Sequence, residues 1–134
     1  MAKALGKEEA VTTCDCCGKA NLQFTIAMEL DDGQIVYYGQ VCAGRNTGKT
    51  RPQINGEIKA HAAAQLAAAQ AEFRAHPAHI AERARFAERD EFARRTGTRM
   101  VGKIAMEFVR EATDAADAAR AVIAARFNVS PWSL

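Results

Sequence analysis

Residues 14–44 read CDCCGKANLQFTIAMELDDGQIVYYGQVCAG, and this stretch holds all four cysteines of the 134-residue chain. Three of the cysteines fall within four positions, and Cys42 lies far behind them in the sequence. Thiols in a reducing compartment stay reduced unless they are catalytic or bind a metal. If the four thiols act together, the chain between them must fold back on itself.

The segment between the cysteines has the pattern of a β-hairpin. Apolar side chains alternate with polar or small ones over residues 22–30, which is the period of a half-buried strand. Asp32 and Gly33 then form the Asp-Gly signal for a tight turn, and residues 34–41 run back as QIVYYGQV. We therefore expect an antiparallel pair of strands that brings Cys42 back to the first three cysteines.

The first cysteines have the spacing of a metal-binding turn. Cys14, Cys17 and Gly18 match the CxxCG form of a zinc knuckle, in which two thiolates point the same way and glycine permits the bend. Structural zinc sites are closed tetrahedra of sulfur and imidazole ligands. We predict Zn²⁺ as the cofactor, with Cys14, Cys17 and Cys42 as ligands. The alternative is a CxxC redox site, but its first thiol usually stands at a helix N-terminus, whereas this knuckle leads into a strand.

The order of these features resembles a treble-clef zinc finger. The knuckle and hairpin are followed by an aromatic-glycine step at Tyr38-Gly39 and by Cys42-Ala43 at the expected start of a helix. The likeness covers about residues 12–50. This stretch is similar in particular to small zinc proteins of phages and actinobacteria.

The resemblance implies two zinc ligands from the knuckle and two from the start of the helix. This chain departs from it at the fourth ligand, where Arg45 and Asn46 stand instead of cysteine or histidine. We predict His61 on the first long helix as the fourth ligand, although it could equally be a half-exposed helix residue. Cys16 remains a second candidate, but its neighbour Cys17 should point the other way.

The chain after residue 52 is rich in alanine and has helical periodicity. Apolar residues between Ile54 and Phe73 recur at steps of three and four, until Pro77 interrupts the pattern. A second helix should end at Thr96-Gly97. The last helix shows a near seven-residue repeat, with a predicted seam at Val101, Ile104, Phe108, Ala112, Ala115, Ala119, Val122 and Arg126.

The predicted fold class is therefore α+β. A small zinc-bound, treble-clef-like β-hairpin module over residues 1–51 is followed by an alanine-rich region over 52–134. That region should form a helical hairpin or three-helix segment that packs on itself.

The charge of the chain is small but uneven. The net charge is +2, from 18 Lys and Arg against 16 Asp and Glu. Residues 1–42 are acidic, whereas residues 43–59 and 82–103 are each basic. The sequence has no apolar stretch of the kind that a secretory signal or a membrane span needs. We expect a cytoplasmic protein with no membrane partner, located in the host cytoplasm if a phage encodes it.

No enzyme signature is recognisable. The segment GRNTGKT lacks the GxxxxGK[ST] spacing of a phosphate-binding loop, and no nucleophile and base can be paired from spacing. The first hypothesis is therefore a non-enzymatic, zinc-stabilised interaction factor that binds and modulates a host or defence protein complex. The resemblance implies that a phage could encode it. Its expected anchors are the large apolar residues Phe86, Phe92 and Trp132.

The second hypothesis is a nucleic-acid-binding protein. Its phosphate contacts would come from Arg45, Lys49, Arg51, Arg94, Arg95 and Arg99. A thiol redox protein is a distant third. Acidic residues lie between the cations and the total charge is small, so the protein partner is favoured. The sequence leaves the oligomeric state open.

Overall fold

The computed structural model describes residues 2–134, and over this range the chain has a three-stranded antiparallel sheet and four α-helices. The strands are β1 (Lys3–Glu8), β2 (Thr25–Glu29) and β3 (Ile35–Tyr38). The helices are α1 (Gln40–Thr47), α2 (Arg51–Ala75), α3 (Pro77–Thr96) and α4 (Gly102–Phe127), followed by a short 3₁₀ turn over Pro131–Ser133. The predicted α+β class is confirmed.

The chain divides into two compact units. The first ends at Ala64 and the second spans Gln65–Leu134, so that α2 contributes residues to both. The boundary that the sequence suggested, at residue 51, coincides with the start of α2.

The predicted hairpin is confirmed as β2 and β3. Their register places Ile26 opposite Tyr38 and Met28 opposite Val36. Residues 30–34 join the strands, and Gly33 takes a φ of 84° there, a left-handed conformation that glycine adopts at little cost. Both strands are shorter than the alternating pattern suggested.

β1 was not predicted from the sequence. It pairs antiparallel with β2, with an irregularity between Ala4 and Gly6. Ala4 is fully buried, but the sequence KALGKE has no regular alternation of apolar and polar residues. Pairing with β2, rather than local propensity, therefore defines this strand.

The first unit has a core between the sheet and two helices. Ile26 and Met28, two residues apart on β2, pack with Ala4 of β1 and are covered by Ala43 of α1 and Ile54 of α2. The alternation that predicted β2 thus identified the residues of this core.

Pro77 separates α2 from α3, as predicted. α2 ends at Ala75, and His76 caps α3 by accepting a hydrogen bond at Nδ1 from the backbone N–H of Ala78, at 3.0 Å. Proline at the first helical position suits this arrangement because it has no N–H to satisfy.

The apolar face of α2 serves two cores instead of one. Ile54 belongs to the sheet core, whereas Ala69 and Phe73 pack in the second unit with Ala116 and Ile123 of α4. The helical region therefore packs on itself through Ala69 and Phe73, as expected, but the first part of α2 packs on the sheet instead.

The buried face of α4 has the predicted period but overlaps the predicted seam only in part: Phe108, Ala112 and Ala119 of the seam are half-buried. Val109, Ala116 and Ile123 are buried at seven-residue intervals, whereas Val101 and Ile104 of the predicted seam are 74% and 70% exposed. A shift of one residue turns a helical face by about 100°. Alanines lie on several faces of α4, so the sequence pattern left the phase poorly defined.

None of the helices within residues 2–134 combines the length and the apolar character that crossing a membrane requires.

Candidate metal centre

The knuckle is a tight turn closed by its own backbone. The N–H of Cys14 donates to the carbonyl of Lys19 at 2.9 Å, and the N–H of Gly18 donates to the carbonyl of Cys14 at 2.9 Å. Gly18 has a φ of 73°, so a side chain at this position would strain the turn.

Asp15 attaches this turn to the sheet. Its N–H donates to the carbonyl of Tyr37 at 2.8 Å, and its Oδ2 accepts from the N–H of Tyr37 at 2.8 Å. The knuckle is therefore held beside the end of β3, one residue before the chain turns into α1. No sequence pattern predicted this role for Asp15.

The junction between β3 and α1 brings Cys42 and the backbone of Gly39 next to the knuckle. Gly39 precedes the first turn of α1, which carries Cys42, and its N–H donates to Sγ of Cys14 at 3.2 Å. A Cβ on Gly39 would lie 3.3 Å from Cδ1 of Leu22 and 3.9 Å from Sγ of Cys14. The close approach of the backbone to the thiol therefore favours glycine.

The structure brings three of the predicted ligands together. The Sγ atoms of Cys14, Cys17 and Cys42 all lie within 4.8 Å of one another, and no disulfide joins them. Two sulfurs on a tetrahedral zinc are about 3.8 Å apart, because each Zn–S bond is about 2.3 Å long. The cluster could therefore hold a metal ion after a small contraction.

Hydrogen bonds make the thiols unequal. Burial alone raises the pKa of Cys14, but the backbone N–H groups of Cys17 and Gly39 help to lower it from its usual 9.0 to about 7. The pKa of Cys42 rises to about 12, because its thiol shares hydrogen bonds with the thiols of Cys17 and Cys14 and is buried. A divalent cation would replace the remaining protons of the cluster, since thiols bind metals as thiolates.

These properties suit metal ligands better than a redox pair. Cys42 stands in the first turn of α1, but its pKa is raised, whereas a reactive thiol at a helix N-terminus has a lowered pKa. Cys14 has the lowered pKa but is only 1% exposed.

One side of the cluster adjoins an apolar cavity of about 280 Å³, lined by the three cysteines and by Leu22, Phe24 and Val41 among others. The cluster is therefore covered by apolar side chains without being sealed from solvent, since Cys17 is exposed.

The two candidates for a fourth ligand differ in position. His61 lies half-buried on α2 and is not part of the group of converging ligand atoms. Cys16 is exposed, and its Sγ accepts a hydrogen bond from Nδ2 of Asn46 on α1 at 3.3 Å. The sequence did not assign a role to Asn46, although its position four residues after Cys42 places both on one face of α1.

The chain matches no protein-family model, no curated protein and no solved structure.

The predicted phosphate-binding cations have different environments. Arg45, Arg51, Arg95 and Arg99 are exposed, and Arg94 is exposed but pairs with Glu91. Lys49 has an internal role that the sequence did not predict: Nζ forms an ion pair with Glu57 and donates to the carbonyl of Ala2 at 2.9 Å.

The predicted partner anchors also differ from one another. Trp132 is 95% exposed. Phe86 is half-buried with the guanidinium of Arg89 over its ring, and Phe92 is half-buried on α3. Trp132 is therefore the most accessible of the three.

Proposed function

We propose that this chain is a zinc-stabilised interaction factor without catalytic activity, which binds a protein complex of its host or of a defence system. The first unit would be a treble-clef-like module with Zn²⁺ on Cys14, Cys17 and Cys42. A closed site of this kind supplies folding free energy instead of chemistry. The partner is suggested by the resemblance to small phage zinc proteins.

The observation that supports a protein partner is the apolar surface of the second unit. Trp132 is almost fully exposed, and tryptophan is among the residues that dominate binding energy at interfaces. The other large apolar side chains that are more than half exposed in this unit are Ile80, Val101, Ile104, Met106 and Val122.

The charges of the same unit are largely balanced. Several of its arginines form ion pairs with acids one turn away: Arg85 with Glu88, Arg94 with Glu91 and Arg120 with Asp117. A surface on which cations are neutralised within the chain attracts phosphate weakly. This favours a protein partner over a nucleic acid.

Nucleic-acid binding remains the second candidate because some cations have no such partner. Within residues 2–134, Arg45, Arg51, Arg95 and Arg99 are exposed and form no ion pair. Phosphate contacts from these side chains would give affinity without base specificity.

Copurification distinguishes the two functions. We expect a protein partner to copurify with the tagged chain after nuclease treatment. Trp132→Ala should weaken that interaction at least about tenfold, as expected for an interface anchor. Trp132→Phe is the matched control and should retain most of the binding.

The triple substitution of Arg94, Arg95 and Arg99 by Gln should leave the protein partner bound. Salt-sensitive binding of random oligonucleotides, abolished by this triple substitution, would instead establish the nucleic-acid function.

Metal analysis tests the zinc module directly. Protein purified without added zinc should contain one zinc per chain, and Cys14→Ser should lose it because a buried ligand is removed. Thr13→Ser, a conservative change at the exposed neighbouring position, should keep the metal. A folded wild-type protein without zinc would rule the module out.

A further inference from the structure

Three converging sulfurs leave one position of a tetrahedral zinc site without a protein ligand. Closed structural sites have four. Arg45 and Asn46, which stand on α1 one turn after Cys42, offer neither a thiol nor an imidazole. His61 does not belong to the converging group.

The Cys16 side chain contacts α1. A neighbour of Cys17 would ordinarily turn away from the ion, yet Sγ of Cys16 lies 3.3 Å from Nδ2 of Asn46 on α1. The same Nδ2 donates to the backbone carbonyl of Cys42 at 2.8 Å. One amide group therefore ties the Cys16 thiol to the part of α1 that carries the third ligand.

Asn46 suits the role of an outer partner of a metal ligand. Its amide offers two N–H donors, one for a sulfur and one for the helix backbone. Outer-shell donors of this kind orient metal ligands and stabilise their charge. Asn46 thus stands where α1 lacks a ligand, and it can position the Cys16 thiol of the knuckle instead.

We propose that Cys16 supplies the fourth thiolate of the zinc site and that Asn46 positions it. This inference rests on the proposed zinc module. Cys16 lies outside the group of sulfurs that are mutually within 4.8 Å, so its bond to the metal requires a rotation of an exposed side chain. The ion would then be held by three sulfurs from the knuckle and one from α1.

The surroundings of the cluster can accommodate the charge of four thiolates. Such a site with Zn²⁺ carries two net negative charges. The backbone N–H of Gly39 donates to Sγ of Cys14, and the amide of Asn46 donates to Sγ of Cys16. Hydrogen bonds to an anion are about twice as strong as neutral ones. Lys19, which lines the adjoining cavity, adds a positive charge nearby.

Thiol protection in the zinc-loaded, full-length protein tests the proposal. The chain is treated with iodoacetamide under native conditions and digested with trypsin, and the masses of the peptides are measured by mass spectrometry. The peptide that ends at Lys19 contains Cys14, Cys16 and Cys17, so the number of labels on it counts the unprotected knuckle thiols. We expect no label while zinc is bound and three after chelation.

Zinc affinity of variants provides a second readout. Asn46→Ala should weaken zinc binding about 10- to 100-fold, the usual effect of removing an outer-shell partner. Cys16→Ser should weaken it more. His61→Ala, which removes the other candidate ligand, should leave the affinity unchanged.

The outcomes separate this inference from the zinc module itself. If one zinc is present but Cys16 is labelled, and Cys16→Ser and Asn46→Ala bind zinc like the wild type, the inference is wrong and the module stands. If His61→Ala alone weakens binding, the fourth ligand is His61. If the folded protein carries no zinc and all knuckle thiols react, both proposals fail.

Discussion

Glu57 is the residue on which the attachment of β1 to α2 depends. Its Oε2 accepts a hydrogen bond from the N–H of Ala4 at 2.9 Å, and its Oε1 pairs with Nζ of Lys49. Burial by itself raises the pKa of Glu57, but the hydrogen bond from Lys49 and that from Ala4 outweigh it, so the pKa lies below its usual 4.5. The folded state therefore favours the charged carboxylate.

The lowered pKa of Glu57 predicts a pH-dependent contribution to stability. A group whose pKa is lower in the folded chain stabilises fully above its unfolded value of about 4.5, and this contribution is lost as the pH falls through the folded value. Glu57→Gln should thus reduce the free energy of unfolding at pH 7 by about 1 to 2 kcal/mol. The difference from the wild type should shrink below pH 4.5.

Urea unfolding of both proteins across this pH range measures the effect of Glu57. Glu9→Gln removes an exposed carboxylate from the same unit, next to the end of β1, and should change nothing. A difference between Glu57→Gln and the wild type that is equally large at acid pH would contradict the linkage.

The buried residues Val109, Ala116 and Ile123 of α4 recur at the predicted seven-residue interval, but they lie beside the predicted seam and not in it. Ala116 is fully buried against the core of the second unit, whereas the adjacent Ala115, which the sequence placed in the seam, is exposed. The two positions carry the same residue, so they form a matched pair for testing which face is buried.

A larger side chain at Ala116 should destabilise the second unit. Leucine and alanine differ little in helix propensity, so Ala116→Leu tests packing alone. Overfilling a packed core costs about 1 to 3 kcal/mol. Ala115→Leu should stay within about 0.5 kcal/mol of the wild type, as surface substitutions usually do. Thermal unfolding measures both, and the reverse order would show that the seam has the phase suggested by the sequence.

At the scale of the whole molecule, the two units differ in what stabilises them. The first has a short three-stranded sheet with a small core and the cysteine cluster, whereas the second has a core of its own between helices. A sheet of this size with few large apolar residues is marginal by itself. Under the proposed function, the metal supplies the missing folding free energy of the first unit.

Removal of zinc should therefore unfold one unit and spare the other. After treatment with a chelator, the segment around residues 14–50 should become sensitive to protease, while much of the helical circular dichroism signal from α3 and α4 remains. The untreated protein and the chelated protein with zinc restored are the controls. Unchanged protease resistance of this segment, or loss of the entire helical signal, would contradict the prediction.

The sequence by itself determined those features that local patterns specify. Alternating apolar residues and an Asp-Gly turn defined the hairpin, because side chains two apart on a strand share a face. Pro77 marked the break between α2 and α3, because proline has no backbone N–H to donate and its ring clashes with the preceding turn of a helix. The CxxCG spacing and the return of the chain identified the three cysteines that converge.

Tertiary structure decided what depends on contacts between distant residues. β1 forms because it pairs with the edge of β2. Packing against Phe73 and Ala69 of α2 decided which face of α4 is buried. The sequence of α4 left this face open because alanines are small enough to face a core or solvent. The direction of Cys16 was fixed by Asn46, 30 residues away in the chain. Local spacing predicted that neighbouring cysteines diverge, whereas a hydrogen bond from Asn46 holds the Cys16 side chain against α1.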